Sequence, residues 1–294
     1  MKKKREKIAR LGLVANFEKS ASRGVVRAAA ELIRSAGRTV ATDAETARLA
    51  DFKCAAFANA AALAAEVDLL LVFGGDGTIL RVVREIEGAQ TPILGINVGR
   101  MGFLTAVSSR DLPASLEKLW ADDFVIETRP LLHATGRCRG EPIHLSALND
   151  LVISHGAVSR LIELDVSVND KPLTRYRGDG LIVSSATGST AYSLSAGGPI
   201  ISPGAEVFAI TPICAHALSN RPVIISSNSV VRVELVSKDM ETIVAADGQL
   251  LANVTAGDAV TIRRSPRRVR LLHLGEMSFF ETVRQKLHWR GSSV

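Results

Sequence analysis

Residues 68–81, Asp-Leu-Leu-Leu-Val-Phe-Gly-Gly-Asp-Gly-Thr-Ile-Leu-Arg, constrain the fold of this chain more than any other stretch. Leu69 to Phe73 is an unbroken apolar run of strand length, which suits a parallel strand covered on both faces. It stops at Gly74-Gly75-Asp76-Gly77. Thr78 then opens a segment whose Ile79, Leu80, Val83 and Ile86 fall at helical spacing. Strand, Gly-rich turn and helix together aim backbone N–H groups at a phosphate, so Gly74, Gly75, Gly77 and Thr78 are candidates for a phosphate loop. A tight turn alone would use the same glycines. Asp76 is the unusual member, because a carboxylate repels phosphate. It makes chemical sense if it takes a proton from a hydroxyl or faces a bound metal. Arg81, one helical turn beyond Asp76, either helps the phosphate charge or is a solvated helix residue.

The chain around this stretch alternates strand and helix. Leu11–Ala15 reads as a strand, and Arg27–Ala36 as a helix closed by Gly37. Arg38–Thr42 reads as a short strand, Phe57–Glu66 as an Ala-rich helix, Ile93–Asn97 as a buried strand and Ala114–Trp120 as a short helix. Such alternation predicts a Rossmann-like parallel sheet with helices on both faces and ligands at the carboxyl ends of its strands. The loop Val98-Gly99-Arg100-Met101-Gly102-Phe103 lies at that edge, as Gly74–Thr78 does.

From about Arg129 the pattern changes to short alternating segments: 144–148, 151–154, 161–168, 181–184, 223–225, 230–236, 243–246, 259–262 and 269–272. Turns such as Asn169-Asp170-Lys171-Pro172 and Asp247-Gly248-Gln249 separate them. The expected architecture is an α/β domain over 1–124 and an all-β, sandwich-like domain over 125–274. A helical segment, 275–294, completes the chain, with Phe280, Val283 and Leu287 on one face and the option of packing back on the first domain.

The 294 residues suffice for two domains with ample core, and no apolar run reaches the ~20 residues needed to span a bilayer. The opening Met1-Lys2-Lys3-Lys4-Arg5 resembles the start of a signal peptide. Arg10, Asn16, Glu18 and Lys19 interrupt the apolar stretch behind it, so Ile8–Ala15 reads as a first strand and the protein is expected in the cytoplasm, away from membranes. Cys54, Cys138 and Cys214 stand far apart without a C-x-x-C pair, which argues for buried or inert thiols. The net charge of +6 comes largely from residues 2–7, at +4, and from Arg263, Arg264, Arg267, Arg268 and Arg270 around Pro266. A solvated tail and a basic hairpin loop account for it. With aromatics at 4%, base-stacking platforms are poorly supplied and no nucleic-acid partner is expected.

There is no G-x-x-x-x-G-K-[ST], G-x-S-x-G or H-E-x-x-H. What remains is a polar, Gly-rich region in the β half. Arg177-Gly178-Asp179-Gly180 precedes the strand Leu181–Val183, and Thr187-Gly188-Ser189-Thr190-Ala191-Tyr192-Ser193-Leu194-Ser195-Ala196-Gly197-Gly198-Pro199-Ile200 comes after it. Five hydroxyl side chains, glycines and one Tyr suit a ribose, an amide and a purine together. A Ser/Thr-rich connection between strands is the other reading. Asn149-Asp150 offers donor and acceptor groups of the kind sugar hydroxyls require, or forms an Asx turn.

Gly74–Thr78 together with Thr187–Ile200 resembles the NAD kinase family. Pro212-Ile213-Cys214-Ala215-His216-Ala217-Leu218-Ser219-Asn220-Arg221-Pro222 and Asp247-Gly248-Gln249 are similar to its later motifs, and the resemblance runs through nearly the whole chain. GGDGT alone is shared with lipid kinases; the long TGSTAYSLSAGGPI segment makes the match specific. The resemblance implies ATP-dependent phosphorylation of the adenosine 2′-hydroxyl of NAD, with Mg²⁺ on the ATP; no metal ligands are assigned among the protein's own residues. It implies that Asp76 is the proton acceptor, with Gly77 and Arg81 beside it. Asn149 and Asp150 match the pair that holds the ribose, although most members carry Glu where this chain has Asp150. Arg160, Arg177, Asp179, Thr190, Ala191, Tyr192, Ser193, Leu194, Ser195 and Gln249 match further dinucleotide-binding positions. Assembly as a homodimer or homotetramer is also implied. The rivals are another GGDGT kinase acting on a lipid or sugar phosphate, and a non-catalytic NAD(P)-sensing module. An α/β dehydrogenase is disfavoured, because no G-x-G-x-x-G opens a helix after the first strand.

Overall fold

The computed structural model describes residues 8–16, 21–86, 88–99, 102–156, 160–238, 240–275 and 278–289. Its contacts divide the chain into two compact units, 1–128 with 269–294, and 129–268.

The first unit follows the expected alternation: β1 (Arg10–Ala15), α1 (Ala21–Ser35), β2 (Thr39–Asp43), α2 (Ala44–Ala50), β3 (Ala55–Phe57), α3 (Ala60–Glu66), β4 (Leu69–Gly74), α4 (Asp76–Glu85), β5 (Ile93–Asn97), β6 (Val107–Ser108) and α5 (Leu112–Trp120). The strands run parallel in the order β3-β2-β1-β4-β5, with β6 on β5. Every residue of β4 and β5 is buried, which is why they are apolar without alternation. One face, Leu11, Leu13, Leu69, Leu71 and Phe73, packs against Val26, Ala29, Ala30 and Ile33 of α1 and Leu112, Leu116 and Leu119 of α5. Those helical positions repeat every three or four residues, as an amphipathic helix requires. The alternate face meets Leu63 of α3 and Ile79 of α4. The strand order reverses between β1 and β4, so the carboxyl end of β4 lies at the topological switch point.

The rest of the chain forms β7 (Val125–Cys138), β8 (Glu141–Ala147), β9 (Asp150–His155), β10 (Ile162–Val168), β11 (Lys171–Gly178), β12 (Gly180–Ser185), a four-residue α6 (Tyr192–Ser195), β13 (Val207–Ile213), β14 (Val223–Ser226), β15 (Val231–Leu235), β16 (Thr242–Ala246), β17 (Gln249–Val254), β18 (Ala259–His273) and α7 (Phe279–Lys286). In the second unit one antiparallel sheet, β14-β13-β12-β9-β16-β17, shares a core with the strands β11-β10-β15-β18 and the hairpin β7–β8. Leu151, Ile153, Leu181, Val183, Phe208 and Val244 from the first group meet Leu164, Val166, Val233 and Ile262 from the second, a sandwich built on the two-residue period. The hairpins β7–β8, β10–β11 and β16–β17 close with left-handed pairs, Arg139-Gly140, Asn169-Asp170 and Asp247-Gly248. Gly, Asn and Asp suit the inverse turns that match strand twist.

Several elements differ from the sequence expectation. The basic segment around Pro266 is no hairpin loop: 259–262 and 269–272 belong to one strand, β18, in which Arg264 pairs with Glu206 at 3.1 Å and Ser265 Oγ accepts from the Arg267 N–H at 3.1 Å. Its last residues return to the first unit, where Leu271 registers with Ile93 and Leu272 joins the core; α7 belongs to the same unit. α1 starts at Ala21 rather than Arg27, and α3 at Ala60, because Asn59 caps it and Phe57 ends β3. On α7 the buried residue is Val283, whereas Phe280 is 63% exposed, so the expected apolar face is narrower. Cys138 is buried, but Cys214 is exposed, and its hydrogen bond to Asp179 pushes the thiol up. The basic tip at 2–5 lies outside the described residues.

Candidate active site

Asp76 opens α4 directly beyond β4, where helix-dipole charge favours an anion. Its carboxylate is held by the loop after β5. The Phe103 N–H donates to Oδ2 at 2.8 Å and the Leu104 N–H to Oδ1 at 3.1 Å. The loop is braced in turn: Thr105 Oγ1 accepts from the Gly102 N–H at 2.9 Å and from the Asn97 side-chain amide at 3.3 Å, and Asn97 Oδ1 accepts from the Gly99 N–H at 2.6 Å. Gly102 lies so close that a Cβ there would collide with the Asp76 carboxylate. Arg100 and Met101 of this loop lie outside the described residues. A carboxylate has about four acceptor directions, so two N–H donors leave it able to accept a further proton.

The glycines beside Asp76 differ in role. A Cβ on Gly74 would collide with the buried Thr78 side chain, so Gly74 serves packing. Among the described residues, nothing lies within 4 Å of where a Cβ on Gly75 or Gly77 would stand, and no side chain caps α4. An uncapped helix start with clear space before it is suited to an anion. Arg81 is committed elsewhere: it binds Glu85 at 2.8 Å, lies 3.8 Å from Glu45 and donates to the Ala15 carbonyl at 3.2 Å. It is therefore not a freely solvated helix residue.

In the second unit the remaining candidates sort along β12. The strands β9, β12, β16 and β17 bring Asn149, Asp150, Ser185 and Gln249 to one end of the six-stranded sheet. Asp150 registers with Ser184 across the pair, so both side chains share the outer face, with Val152, Ile182 and Ile213 continuing it. Asp150 is only 4% exposed. Burial, followed by the charge of Asp247, pushes its carboxyl up to about 7. The Ser184 hydroxyl is buried beside it, and neither it nor the Thr187 hydroxyl has a hydrogen-bond partner among the described residues. Gly188 packs against the Asn149 carbonyl so tightly that a Cβ would overlap it.

At the other end of β12 stand Arg177, Asp179 and, before β10, Arg160. Both arginines are exposed; Arg177 lies 3.8 Å from Glu163. The stretch from Gly180 to Ser184 separates the two groups by roughly 13 Å at strand rise.

The hydroxyl-rich segment divides sharply. Ser189 is buried and donates to the Ala186 and Ile201 carbonyls, and buried Ser193 bonds Thr211 Oγ1 at 3.0 Å. These two hydroxyls pin the segment to the sheet. Thr190, Ala191 and Leu194 are half-buried, whereas Tyr192, Ser195 and Gln249 are exposed. Sequence reasoning singles out neither Asp247 nor the N–H groups of Phe103 and Leu104 as site groups. The Asp-Gly turn is the visible signal for the first; nothing in the residue types at 103–104 marks a backbone donor.

Among the described residues, no cluster of three or more His, Cys, Asp or Glu side chains could hold a metal, and no helix is long and apolar enough to cross a membrane. Residues 11–124 match the ATP-NAD kinase N-terminal domain and residues 148–274 the ATP-NAD kinase C-terminal domain. The chain is 39% identical over 282 residues to the NAD kinase of Methylibium petroleiphilum, covering 94% of this chain and 93% of that one. It is 46% identical over 224 residues to that of Syntrophotalea carbinolica, covering 76% and 79%. Among solved structures it is similar to an NAD kinase from Archaeoglobus fulgidus in complex with ATP, with TM-score 0.75 at 26% identity, covering 96% and 100%. Yeast NADH kinase complexed with NADH shares the fold, with TM-score 0.88 at 24% identity over 97% and 89%. Both halves of the chain, the Asp76 loop and the Asn149–Asp150 end of the sheet, fall within the matched regions, and the chain belongs to the NAD kinase family.

Proposed function

We propose that this chain transfers the γ-phosphoryl group of ATP to the 2′-hydroxyl of the adenosine ribose of NAD, with Asp76 as proton acceptor. The observation that carries the reading is the Asp76 carboxylate, held by two backbone N–H groups beside an uncapped helix start with open space at Gly75 and Gly77. A secondary alcohol does not ionise unaided near neutral pH. A fixed carboxylate within hydrogen-bond reach takes the proton as the oxygen–phosphorus bond forms. The first N–H groups of α4 and the helix dipole stabilise phosphate charge there, offsetting repulsion from Asp76. Mg²⁺ enters bound to the ATP triphosphate, as part of the substrate, and neutralises its charge.

The second unit supplies recognition. Asn149, Asp150 and Gln249 at one end of β12, and Arg160, Arg177 and Asp179 at the other, suit a ligand with polar groups at both ends, as a dinucleotide has. Tyr192 and the half-buried Thr190, Ala191 and Leu194 add an amphipathic surface, with Ser195 at its edge. Ser193 acts by pinning that surface, and Arg81 by joining α4 to β1. The enzyme is cytoplasmic on this reading and assembles as a homodimer or homotetramer, a state that light scattering reads.

The test is Asp76→Asn at saturating MgATP and NAD, with NADP read by an NADP-specific dehydrogenase. Turnover is expected to fall by about 10²–10⁴-fold with binding of NAD retained. Unchanged turnover removes Asp76 from the role.

A further inference from the structure

Asp247 is the first residue of the two-residue turn joining β16 to β17, with φ +48°, followed by Gly248 at +76°. Such a turn accepts Asn or Gly at that position as readily as Asp, so the turn itself asks for no charge. The carboxylate is nevertheless turned back onto a segment about a hundred residues earlier in the chain. Oδ2 accepts from the Leu148 N–H at 2.8 Å; Oδ1 accepts from the Asn149 N–H at 2.7 Å and the Asp150 N–H at 3.2 Å. The Asp247 N–H donates to the Asp150 carbonyl at 3.0 Å. On the opposite side, Ser185 N–H donates to the Asn149 carbonyl at 2.8 Å and Ser185 Oγ to the Leu148 carbonyl at 2.6 Å.

This arrangement has an electrostatic cost. Asp247 lies beside buried Asp150, and two carboxylates in one place disfavour each other's charge. The elements packed around Asp150 bring Ser184 from β12 and Asp247 from the turn. Of these, Asp247 carries the charge that acts on it. An amide would keep the turn and remove the repulsion. What only a carboxylate supplies is charge-assisted acceptance from three consecutive N–H groups.

We propose that Asp247 is a positioning residue of the dinucleotide site: it fixes the backbone of 148–150 and thereby the directions in which Asn149 and Asp150 meet the acceptor ribose. This role rests on the NAD-phosphorylating reading and deepens it. It also makes acceptor binding sensitive to pH through Asp150, whose ionisation the neighbouring charge delays.

The experiment is Asp247→Asn in the full chain, with KM for NAD and for MgATP and kcat measured from pH 5.5 to 8.5. KM for NAD is expected to rise about tenfold or more, the scale of one lost charge-assisted hydrogen bond. KM for MgATP and kcat at saturating NAD stay within about twofold, and the pH midpoint of KM for NAD moves below that of the wild type as the like charge goes. A merely structural role would lower the melting temperature and leave both KM for NAD and that midpoint unmoved; that result overturns the proposal. A wild-type protein that forms no NADP overturns the functional reading instead. If the amide variant does not fold, Asp247→Glu keeps the charge on a longer arm. KM for NAD then rises with the midpoint held near the wild-type value, and an unchanged KM overturns the proposal.

Discussion

Asp150 couples the stability of the fold to pH. Burial and then Asp247 push its carboxyl up to about 7 in the folded chain, from an ordinary value of 3.8. Between those values the folded state holds a proton that the unfolded state has released, so this group's contribution falls as pH rises through the window and is flat above it. Asp150→Asn is therefore expected to raise stability at pH 8, by up to about 4 kcal/mol, and to change it little below pH 4; chemical denaturation at the two pH values checks this. Asp76 gives a second residue-scale prediction. Gly102→Ala places a Cβ into its carboxylate, so turnover is expected to fall at least about tenfold, more than any loss of folded protein explains. Asp76 itself is legible in the sequence as an acid out of place among glycines. The donors that hold it are not, because a backbone N–H carries no residue-type signature. Ser193 shows the complementary limit: its residue type does not reveal that its hydroxyl is buried and bonded to Thr211.

At the scale of elements, β4 and β12 are readable because complete burial writes itself as an uninterrupted apolar run. β11 is hidden: its first five residues are exposed and only Tyr176 and Gly178 are buried, so no alternation survives. β18 reads as two strands because Pro266 and four neighbouring arginines resemble a loop. Pro266 lies between the stretch that registers with β15, Ala259–Ile262, and Leu271, which registers with Ile93. β7 and β17 escape a sequence reading for want of a clean two-residue period, and β13, buried from Phe208 to Ile213, because Thr211 and Pro212 break its apolar run. The start of α4 separates structural from ligand-facing glycines by experiment. Gly75→Ala meets open space at an ordinary backbone angle, so stability should stay within about 0.5 kcal/mol. KM for MgATP should rise several-fold if phosphate approaches there; Gly74→Ala should instead destabilise the fold, as a melting curve would show.

For the whole molecule, the alternation of strands and helices and the later run of short β segments disclose two kinds of architecture, but not that the first unit is assembled from two separated pieces of chain. Long-range completion of a core leaves only a few apolar residues as its trace. Leu271 and Leu272 sit at the end of a basic strand and look like part of the β half. The core of the second unit, in contrast, is drawn wholly from within 129–268. A fragment of 129–268 is expected to unfold cooperatively, whereas 1–128 alone, lacking Leu272 and α7, is expected to be loosened or unfolded; circular dichroism during urea titration compares them. During synthesis on the ribosome this inverts the usual order of maturation. The stretch made first must wait, partly assembled and in need of protection from aggregation, while the later-made sandwich closes ahead of it. Only when residues 269–273 clear the exit tunnel does the nascent first unit receive its missing strand.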